Sequence, residues 1–261
     1  MYTFIDTHCH FNDASFASDA ADASQRAVDA GVGIMLQADI DSSERESMFA
    51  LVDSHSEHLR PMLGLYPGSV RSNWMDEIDA LSPWKSRSDI VAIGEIGLDY
   101  HYGTEWKAQQ QDAFKVQLEI ACSMGLPVNI HLRDATDDFF RVLDSCKGLP
   151  LRGNLHAFSG SIETFRRLEA YGDWYVGIGG VLTFKNAGRA REVEDIPLEM
   201  IVLETDSPYL APTPLRGTRN ESANIPLIAA KLAEIKGVSI EHTALVTSSN
   251  AKRLFTRIDN G

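Results

Sequence analysis

The stretch FIDTHCHF, residues 4–11, decides how the rest of the chain is interpreted. Its apolar residues predict a buried first strand, and Asp6, His8 and His10 fall at every second position. Because alternate side chains of a barrel strand face the same side, these three should share the inner face, and Cys9 should point away. The histidines are either metal ligands at the mouth of the strand or hydrogen-bonded core residues.

Seven further apolar runs alternate with helical segments. Helical spacing is clearest in residues 105–124, Asp41 and Glu44 predict a capping box at a helix start, and residues 224–257 predict two closing helices. The predicted strands are residues 2–6, 33–38, 62–66, 90–96, 127–132, 153–158, 174–180 and 200–204. Eight strand–helix units indicate an α/β fold, a (β/α)8 TIM barrel in a single domain spanning residues 1–261. A doubly wound sheet is the alternative, but it usually has fewer strands and a glycine-rich first loop.

Composition narrows the classes of protein that fit. No apolar run approaches the roughly 18–20 residues of a membrane helix, and no secretory signal is present, so we expect a cytoplasmic protein without a membrane partner. The three cysteines are too few and too widely spaced for a disulfide framework. The net charge of −13 argues against binding DNA through a basic surface, so a polyanionic substrate would need bound cations to attract it.

Six metal-capable residues should meet at the C-terminal ends of the predicted strands, where barrel enzymes carry their catalytic residues. Buried strands otherwise avoid unpaired charges, which cost several kcal/mol each, roughly, in an apolar interior. The six residues are His8, His10, Glu95, His131, His156 and Asp206.

Four imidazoles and two carboxylates are too many ligands for one ion, and they suit two ions about 3.5–4 Å apart. We expect His8, His10 and Asp206 to hold one ion, His131 and His156 the other, and Glu95 to bridge them. Mixed nitrogen and oxygen ligands suit Zn, Mn, Fe or Co and do not exclude Mg. Two divalent ions against two carboxylates would make this pocket locally positive.

Ordered sequence blocks resemble the TatD family of metal-dependent deoxyribonucleases. They are DTHCH at residues 6–10, GEIGLD at 94–99, HLR at 131–133, HAFSG at 156–160, ETDSPY at 204–209, RGTRNE at 216–221 and NAKRLF at 250–255. The resemblance implies a (β/α)8 barrel and divalent-metal-dependent hydrolysis of phosphodiester bonds in DNA. It also implies the ligand roles given above and a bridging Glu95 rather than a modified lysine.

Two departures from the family pattern stand out. Relatives commonly have a His-Pro pair after the third strand, where this chain has Tyr66 and Pro67, and Ser222 replaces a usual proline. Tyr66 can hydrogen-bond a phosphate but is a poorer proton carrier at neutral pH. The first departure affects substrate preference more than metal binding.

Further roles follow from position. Asp206 is the candidate general base, and Glu204 either orients metal ligands or forms a buried salt bridge. Arg133 and the loop residues Arg216 and Arg219 are candidate phosphate ligands, with solvated or salt-bridged cations as the alternative. Three aromatic residues after the fourth strand could stack on bases or simply pack against the next helix: Tyr100, Tyr102 and Trp106.

Three classes of function remain open. The first is a deoxyribonuclease that engages DNA mainly through its metals, and we expect it to be a monomer. The second is a metal-dependent hydrolase of a small ester, lactone, amide or phosphoester. The third, a non-catalytic metal-binding or nucleic-acid-binding protein, is disfavoured because no expected ligand is missing.

Overall fold

The computed structural model describes residues 3–185 and 189–259, apart from the side chains of residues 189–191. Eight parallel strands in these ranges pair in chain order. They are β1 (Phe4–Cys9), β2 (Val32–Gln37), β3 (Leu59–Leu63), β4 (Ala92–Asp99), β5 (Val128–Arg133), β6 (Arg152–Leu155), β7 (Asp173–Ile178) and β8 (Ile201–Leu203). The predicted barrel order is therefore confirmed; Tyr2, in the first predicted strand, lies outside the described residues.

Helices follow the strands and cover the outside of the sheet. They are α1 (Ala20–Asp29), α2 (Ser42–Ser54), α3 (Trp74–Asp79), α4 (Lys107–Met124), α5 (Thr136–Ser145), α6 (Ile162–Leu168), α7 (Arg189–Asp195), α8 (Ile225–Lys236) and α9 (Ile240–Leu254). Short 3-10 turns occupy Ala14–Phe16, Pro67–Ser69, Glu169–Tyr171, Gly180–Thr183, Leu198–Met200 and Ser222–Asn224. None of the described helices is long and apolar enough to cross a membrane.

The barrel closes where the chain after β8 meets β1. Thr7 donates its hydroxyl to the Leu203 carbonyl at 3.0 Å. Farther along, the Asp206 amide donates to the His8 carbonyl at 2.9 Å, and the His10 amide donates to the Ser207 carbonyl at 2.8 Å. The closing bonds therefore lie at the C-terminal rim, and they fix the backbone of His8 and His10 against the loop that carries Asp206.

Apolar side chains fill the opposite end of the barrel. One core cluster joins Ile5 of β1, Met62 of β3 and Tyr175 of β7 with Leu254 and Phe255 at the end of α9. Because β3 and β7 are far apart around the barrel, these residues can join in one cluster only through its interior. The predicted closing helices are α8 and α9, and α9 seals this end.

The helix start predicted at Asp41 is confirmed in part. The Asp41 carboxylate accepts a hydrogen bond from the Ser43 amide at 3.0 Å, so it caps α2 as predicted. Glu44 does not complete a capping box, because its carboxylate accepts from the Asn12 side chain instead, at 3.1 Å. Gly125 ends α4 in the left-handed conformation, with a φ of 65°.

The ends of β4 and β6 differ from the predicted ends, and both differences lie near candidate metal ligands. β4 continues to Asp99, which places Glu95 in mid-strand rather than at its end. β6 stops at Leu155, so His156 belongs to the loop. Runs of apolar residues do not reveal such ends, because glycines and polar rim residues still pair within β4.

Candidate metal centre

The six predicted ligands come together at the C-terminal rim of the barrel. His8 and His131 lie in β1 and β5 and Glu95 in β4, while His10, His156 and Asp206 lie just beyond β1, β6 and β8. Their potential ligand atoms form overlapping groups within 4.8 Å of one another. Side-chain exposure in the set does not exceed the 17% of Asp206, so the cluster is largely shielded from water.

The first group consists of His8, His10 and Glu95, and Asp206 lies beside it, within reach of His8 and also of His156. The His8 and His10 Nε2 atoms are 3.0 Å apart, and they lie 3.4 and 3.7 Å from Glu95 Oε2. Asp206 Oδ1 is 3.6 Å from His8 Nε2 and 3.5 Å from His10 Nε2. Ligands about 2.1 Å from a tetrahedral metal ion are roughly 3.4 Å from each other, so these separations match one ion.

A second group contains His131, His156 and the other oxygen of Glu95. Glu95 Oε1 lies 2.9 Å from His131 Nδ1 and 2.8 Å from His156 Nε2. The two imidazole nitrogens are 3.1 Å apart. Glu95 thus directs one carboxylate oxygen to each group, which is the arrangement that a bridging carboxylate requires.

Hydrogen bonds fix which nitrogen of two histidines can bind a cation. His8 Nδ1 lies 2.8 Å from the Asn129 amide oxygen, which can only accept, so Nδ1 carries the hydrogen and Nε2 presents its lone pair. In the same way, His131 Nε2 faces Asp99 at 3.0 Å and leaves Nδ1 to the cluster. Lone pairs and carboxylate oxygens therefore converge, and this donor set fits a divalent metal ion with nitrogen and oxygen ligands.

Asn129 is a site residue that the sequence-based prediction missed. Its amide nitrogen donates to the Thr7 carbonyl at 3.2 Å and to the Asn154 side chain at 3.3 Å, which fixes the orientation of its oxygen toward His8. A signal was available in the sequence, because Asn129 precedes His131 by two residues and so faces the same side of β5.

Glu204 lies behind His156 and is fully buried. Its Oε1 atom accepts from the Ala157 amide and is 3.7 Å from His156 Nδ1. No Lys or Arg among the described residues pairs with it, and at 3.7 Å the contact with His156 is an ion pair rather than a hydrogen bond, so the orienting role stays a prediction. Gly177 leaves the space for this carboxylate, since a Cβ there would lie 2.0 Å from Glu204 Oε2.

Asp6 does not join the histidines, contrary to the alternation expected of β1. Pairing between β1 and β2 shifts register between Asp6 and Cys9. The Asp6 carboxylate accepts from the Thr205 amide and hydroxyl and from Ser222, at 2.9, 2.5 and 2.6 Å. Ser222, which replaces a usual proline, thus helps to tie the loops after β8 to β1.

A buried ion pair supports the segment after β2 that binds β4 next to Glu95, and it was not predicted. Arg45 of α2 donates to Asp39 Oδ2 at 2.6 Å, and both side chains are buried. The Asp39 backbone bonds to the peptide unit that joins Gly94 to Glu95: its amide donates to the Gly94 carbonyl at 3.3 Å, and its carbonyl accepts from the Glu95 amide at 3.2 Å.

Two of the four predicted substrate-binding residues reach the site. Tyr66 sets its ring edge-on to His131, with ring centroids 5.2 Å apart, and its hydroxyl lies 3.4 Å from Asp99 Oδ2. Burial, followed by the charges of nearby carboxylates, raises the pKa of Tyr66, so it stays a neutral hydrogen-bond donor. Arg133 lines both cavities at the rim.

The other two residues occupy different surroundings. Arg219 pairs with Asp19 at 2.6 Å and with Glu221 at 2.7 Å, in a network that also includes Arg26. Its guanidinium is thus engaged by carboxylates, which opposes the predicted contact with substrate. Arg216 covers the ring of Phe184 at 4.1 Å and lines neither rim cavity, so its role stays a prediction.

Mutual electrostatics shift the pKa values of the cluster. Burial alone would lower the pKa of His10, His131 and His156, but adjacent carboxylates outweigh it and raise all three. Burial would raise the pKa of Glu95 and Asp206, yet the surrounding imidazoles outweigh it and lower both. The carboxylates are therefore ionised, and the cluster binds protons or cations strongly.

Two cavities flank the cluster and share His131, His156 and Asp206 as a dividing wall. The first, of about 390 Å³, is mostly apolar and includes Leu132, Phe158, Ile178, Val181 and Leu182. The second, of about 560 Å³, also has a mostly apolar surface, but charged and polar groups of its wall include those of Asp13, Glu44, Tyr66, Tyr102 and Tyr209. Both volumes are in the range of small-molecule sites.

Comparisons with known proteins agree with this arrangement. Residues 5–256 match the family model described as TatD related DNase. The metal-dependent hydrolase YabD of Bacillus subtilis, described as uncharacterized, is 32% identical over 96% of this chain and 98% of its own length. YcfH of Escherichia coli, described in the same words, is 33% identical over 96% and 95%. The crystal structure of the TatD homologue YjjV from Escherichia coli superposes with a TM-score of 0.90, at 29% identity, over 97% of this chain and 98% of that one.

Proposed function

This chain belongs to the TatD-related DNase family of metal-dependent hydrolases, and on that premise we propose that it hydrolyses phosphodiester bonds of DNA with two divalent metal ions. The observation that carries the proposal is the position of the Glu95 carboxylate between His8 and His10 on one side and His131 and His156 on the other; Asp206 lies within reach of His8 and His156, one from each side. One oxygen of this carboxylate lies 3.4 Å from His8 Nε2, and the other lies 2.8 Å from His156 Nε2.

His8, His10 and Asp206 would hold one ion, His131 and His156 the other, and Glu95 both. When bound, such ions supply Lewis-acid stabilisation of phosphoryl oxygens and lower the pKa of water. Mg, Mn or Zn would serve, and the nitrogen-rich donor set favours Mn or Zn over Mg.

Asp206 is the proposed base that accepts the proton of the attacking water. Its pKa is lowered because hydrogen bonding to His10 and the charges of His156 and His8 outweigh the effect of burial, so it is ionised at neutral pH. Its φ of 54° is unusual for a residue other than glycine, and such strain collects at functional sites. Asn129 and Asp99 orient His8 and His131 through hydrogen bonds and so keep these two ligands preorganised, and the charge of Glu204, 3.7 Å from His156 Nδ1, supports His156.

Substrate contacts are proposed for Arg133 and Tyr66. Arg133 can place two parallel N–H donors on a phosphate. Tyr66, whose ring lies beside His131, can donate its hydroxyl hydrogen to a phosphoryl oxygen. Cellular placement in the cytoplasm and a monomeric state stay predictions; the cysteines Cys9, Cys122 and Cys146 are all free, as a reducing compartment would keep them.

The test is cleavage of a labelled oligonucleotide by metal-stripped protein, before and after addition of Mn²⁺, Zn²⁺ or Mg²⁺. We expect no cleavage without metal and restored cleavage with it. Asp206→Asn should lower kcat by at least about 100-fold, as loss of a general base does. A reconstituted wild-type protein that cuts no DNA would overturn the proposal, and an Asp206→Asn protein with full turnover would overturn the base assignment.

A small ester, lactone, amide or phosphoester is the second candidate substrate class, and the cavity of about 390 Å³ walled by Phe158, Ile178 and Leu182 favours it. Such a cavity suits a compact apolar group better than a charged strand. A panel of chromogenic esters and phosphodiesters, assayed beside DNA with the same reconstituted protein, separates the two. Preference for the small substrates by kcat/KM would assign the site to this class.

A further inference from the structure

Tyr102 stands out on the rim because 84% of its surface is exposed. It follows β4 and lines the same cavity as Glu95, His131 and His156. Its two aromatic neighbours are accounted for by packing: Tyr100 donates to Asp138 at 3.1 Å, and Trp106 packs against a small core cluster under the same loop. Tyr102 therefore keeps an apolar ring in water at the mouth of the site, without burial to stabilise it.

Neighbouring side chains hold this ring in place. The Arg133 guanidinium carbon lies 5.3 Å from the ring centroid of Tyr102, within cation–π range. The His101 ring meets it edge-on, with centroids 5.0 Å apart, and His101 is itself held by Asp134 at 2.9 Å. These contacts restrict the ring without covering it, so a planar group such as a nucleobase can stack on it.

Charge around the mouth limits how a nucleic acid can bind. Arg133 is the one Lys or Arg among the described residues that line the two rim cavities. On the side of β1 and β2, Asp13 and Glu44 line the larger of the two cavities and repel phosphates. A strand thus finds one cation besides the metals, and that cation lies beside Tyr102. Affinity for DNA must then come from the metals together with contacts to bases.

We propose that Tyr102 is a stacking platform for an unpaired nucleobase next to the scissile phosphate, and that Arg133 contacts an adjoining phosphate. The inference rests on the proposed deoxyribonuclease function and adds the residue that would hold a base beside the cut; this base must be unpaired to reach the ring. Bases inside a duplex stack on each other and offer no free face, whereas stacking on an aromatic side chain accepts any unpaired base.

Kinetics of Tyr102→Ala and Tyr102→Phe test the platform. The Ala variant should raise KM for a single strand about fivefold or more with kcat within about twofold, while the Phe variant stays close to wild type. The rise should disappear with a strand whose sugars near the cut carry no base. Leu245→Ala, at a side chain of α9 that is 66% exposed, is the matched surface control and should change nothing.

Salt dependence tests the role of Arg133. Each phosphate contact to a single strand contributes about −0.7 to the slope of log affinity against log salt concentration. Arg133→Gln should make the slope shallower by about that amount, and Tyr102→Ala should leave it unchanged. An unchanged slope in Arg133→Gln would remove Arg133 from the proposal.

Failure of this inference differs from failure of the proposed function. If reconstituted wild-type protein cuts no DNA, the function fails, and stacking is then measured by fluorescence quenching of a single strand that contains 2-aminopurine. Quenching and binding should weaken at least about fivefold in Tyr102→Ala. The platform would be overturned if Tyr102→Ala had the KM of the wild type or bound the single strand equally well. It would also be overturned if the wild type used single-stranded and duplex DNA equally.

Discussion

At the scale of single residues, the orientation of the histidines depends on side chains that would not touch a metal themselves. Asn129 holds the hydrogen of His8 on Nδ1 and is in turn fixed by Thr7 and Asn154. Asp99 does the same for His131 through a 3.0 Å contact. Such partners commonly change metal affinity by about 10- to 100-fold when they are removed.

Asn129→Ala should therefore weaken metal binding by about 10- to 100-fold, because His8 loses the acceptor that fixes its tautomer. Calorimetric titration of metal-stripped protein with Mn²⁺ or Zn²⁺ measures the change. The control is Asn73→Ala, since Asn73 is exposed and caps no backbone group at the start of α3. Wild-type affinity in Asn129→Ala would mean that His8 is oriented by packing alone.

Removal of metal should give the protein an unusual dependence of stability on pH. The pKa values of His10, His131 and His156 are raised in the folded state, since adjacent carboxylates outweigh burial. A raised pKa contributes stability below the unfolded value of about 6.5, and this contribution is lost as pH rises through the folded values.

Thermal unfolding of metal-stripped protein should therefore show a Tm that falls as pH rises above about 6.5, and saturating metal should remove this fall because the ion replaces the protons. The same competition should weaken metal binding on acidification. A Tm of the stripped protein that is flat or rises across this range would contradict the assignment of charges in the cluster.

Sequence alone predicted which metal-capable residues meet at the rim, because these residues lie in or just after predicted strands of one barrel. It could not predict the partners. Arg45 and Asp39 form their buried pair across the turn after β2, and Arg219 pairs with Asp19 about 200 residues away along the chain. The first pair depends on the path of the turn and the second on the packing of distant elements, and spacing in a single sequence encodes neither.

At the scale of elements, the approach of β4 to β5 brings Glu95 and His131 together. Gly97 pairs with His131 and has a φ of 134°. A Cβ on Gly97 would lie 2.0 Å from the His131 carbonyl oxygen, so a side chain here would push the two strands apart. Strand pairing and the geometry of the second ligand group therefore depend on this glycine.

Gly97→Ala should destabilise the protein by about 3 kcal/mol or more, through combined strain and collision. The matched control is Gly103→Ala: its φ is also positive, at 140°, but nothing lies within 4 Å of the added Cβ. The Gly103→Ala protein should lose only about 1–2 kcal/mol of its free energy of unfolding, from backbone strain. Denaturant unfolding of both variants measures the difference. Equal losses of stability would show that a shift of the strand relieves the collision at Gly97.

The order of the elements followed from the alternation of apolar runs with helical segments, but their ends did not. β1 illustrates the reason. Strict alternation predicts one face for Asp6 and His8, whereas the register shift lets Asp6 bind Thr205 and Ser222. An irregularity of this kind satisfies buried polar groups in three dimensions and leaves no periodic trace in the sequence.

At the scale of the whole molecule, a net charge of −13 and a rim with a single described cation would repel DNA. Bound metals would therefore be needed for recognition as well as for chemistry. Metal-stripped protein should bind a labelled single strand at least about tenfold more weakly than metal-loaded protein at about 0.15 M salt, where screening limits other long-range attraction. Equal binding with and without metal would locate the attraction elsewhere on the surface.

The two-ion centre is tested most directly by anomalous X-ray scattering from crystals soaked in Mn²⁺. We predict two peaks about 3.5–4 Å apart on either side of the Glu95 carboxylate. One should contact His8, His10 and Asp206, and the other His131 and His156. A single peak, or none within reach of Glu95, would contradict the proposal that these six residues hold a pair of ions.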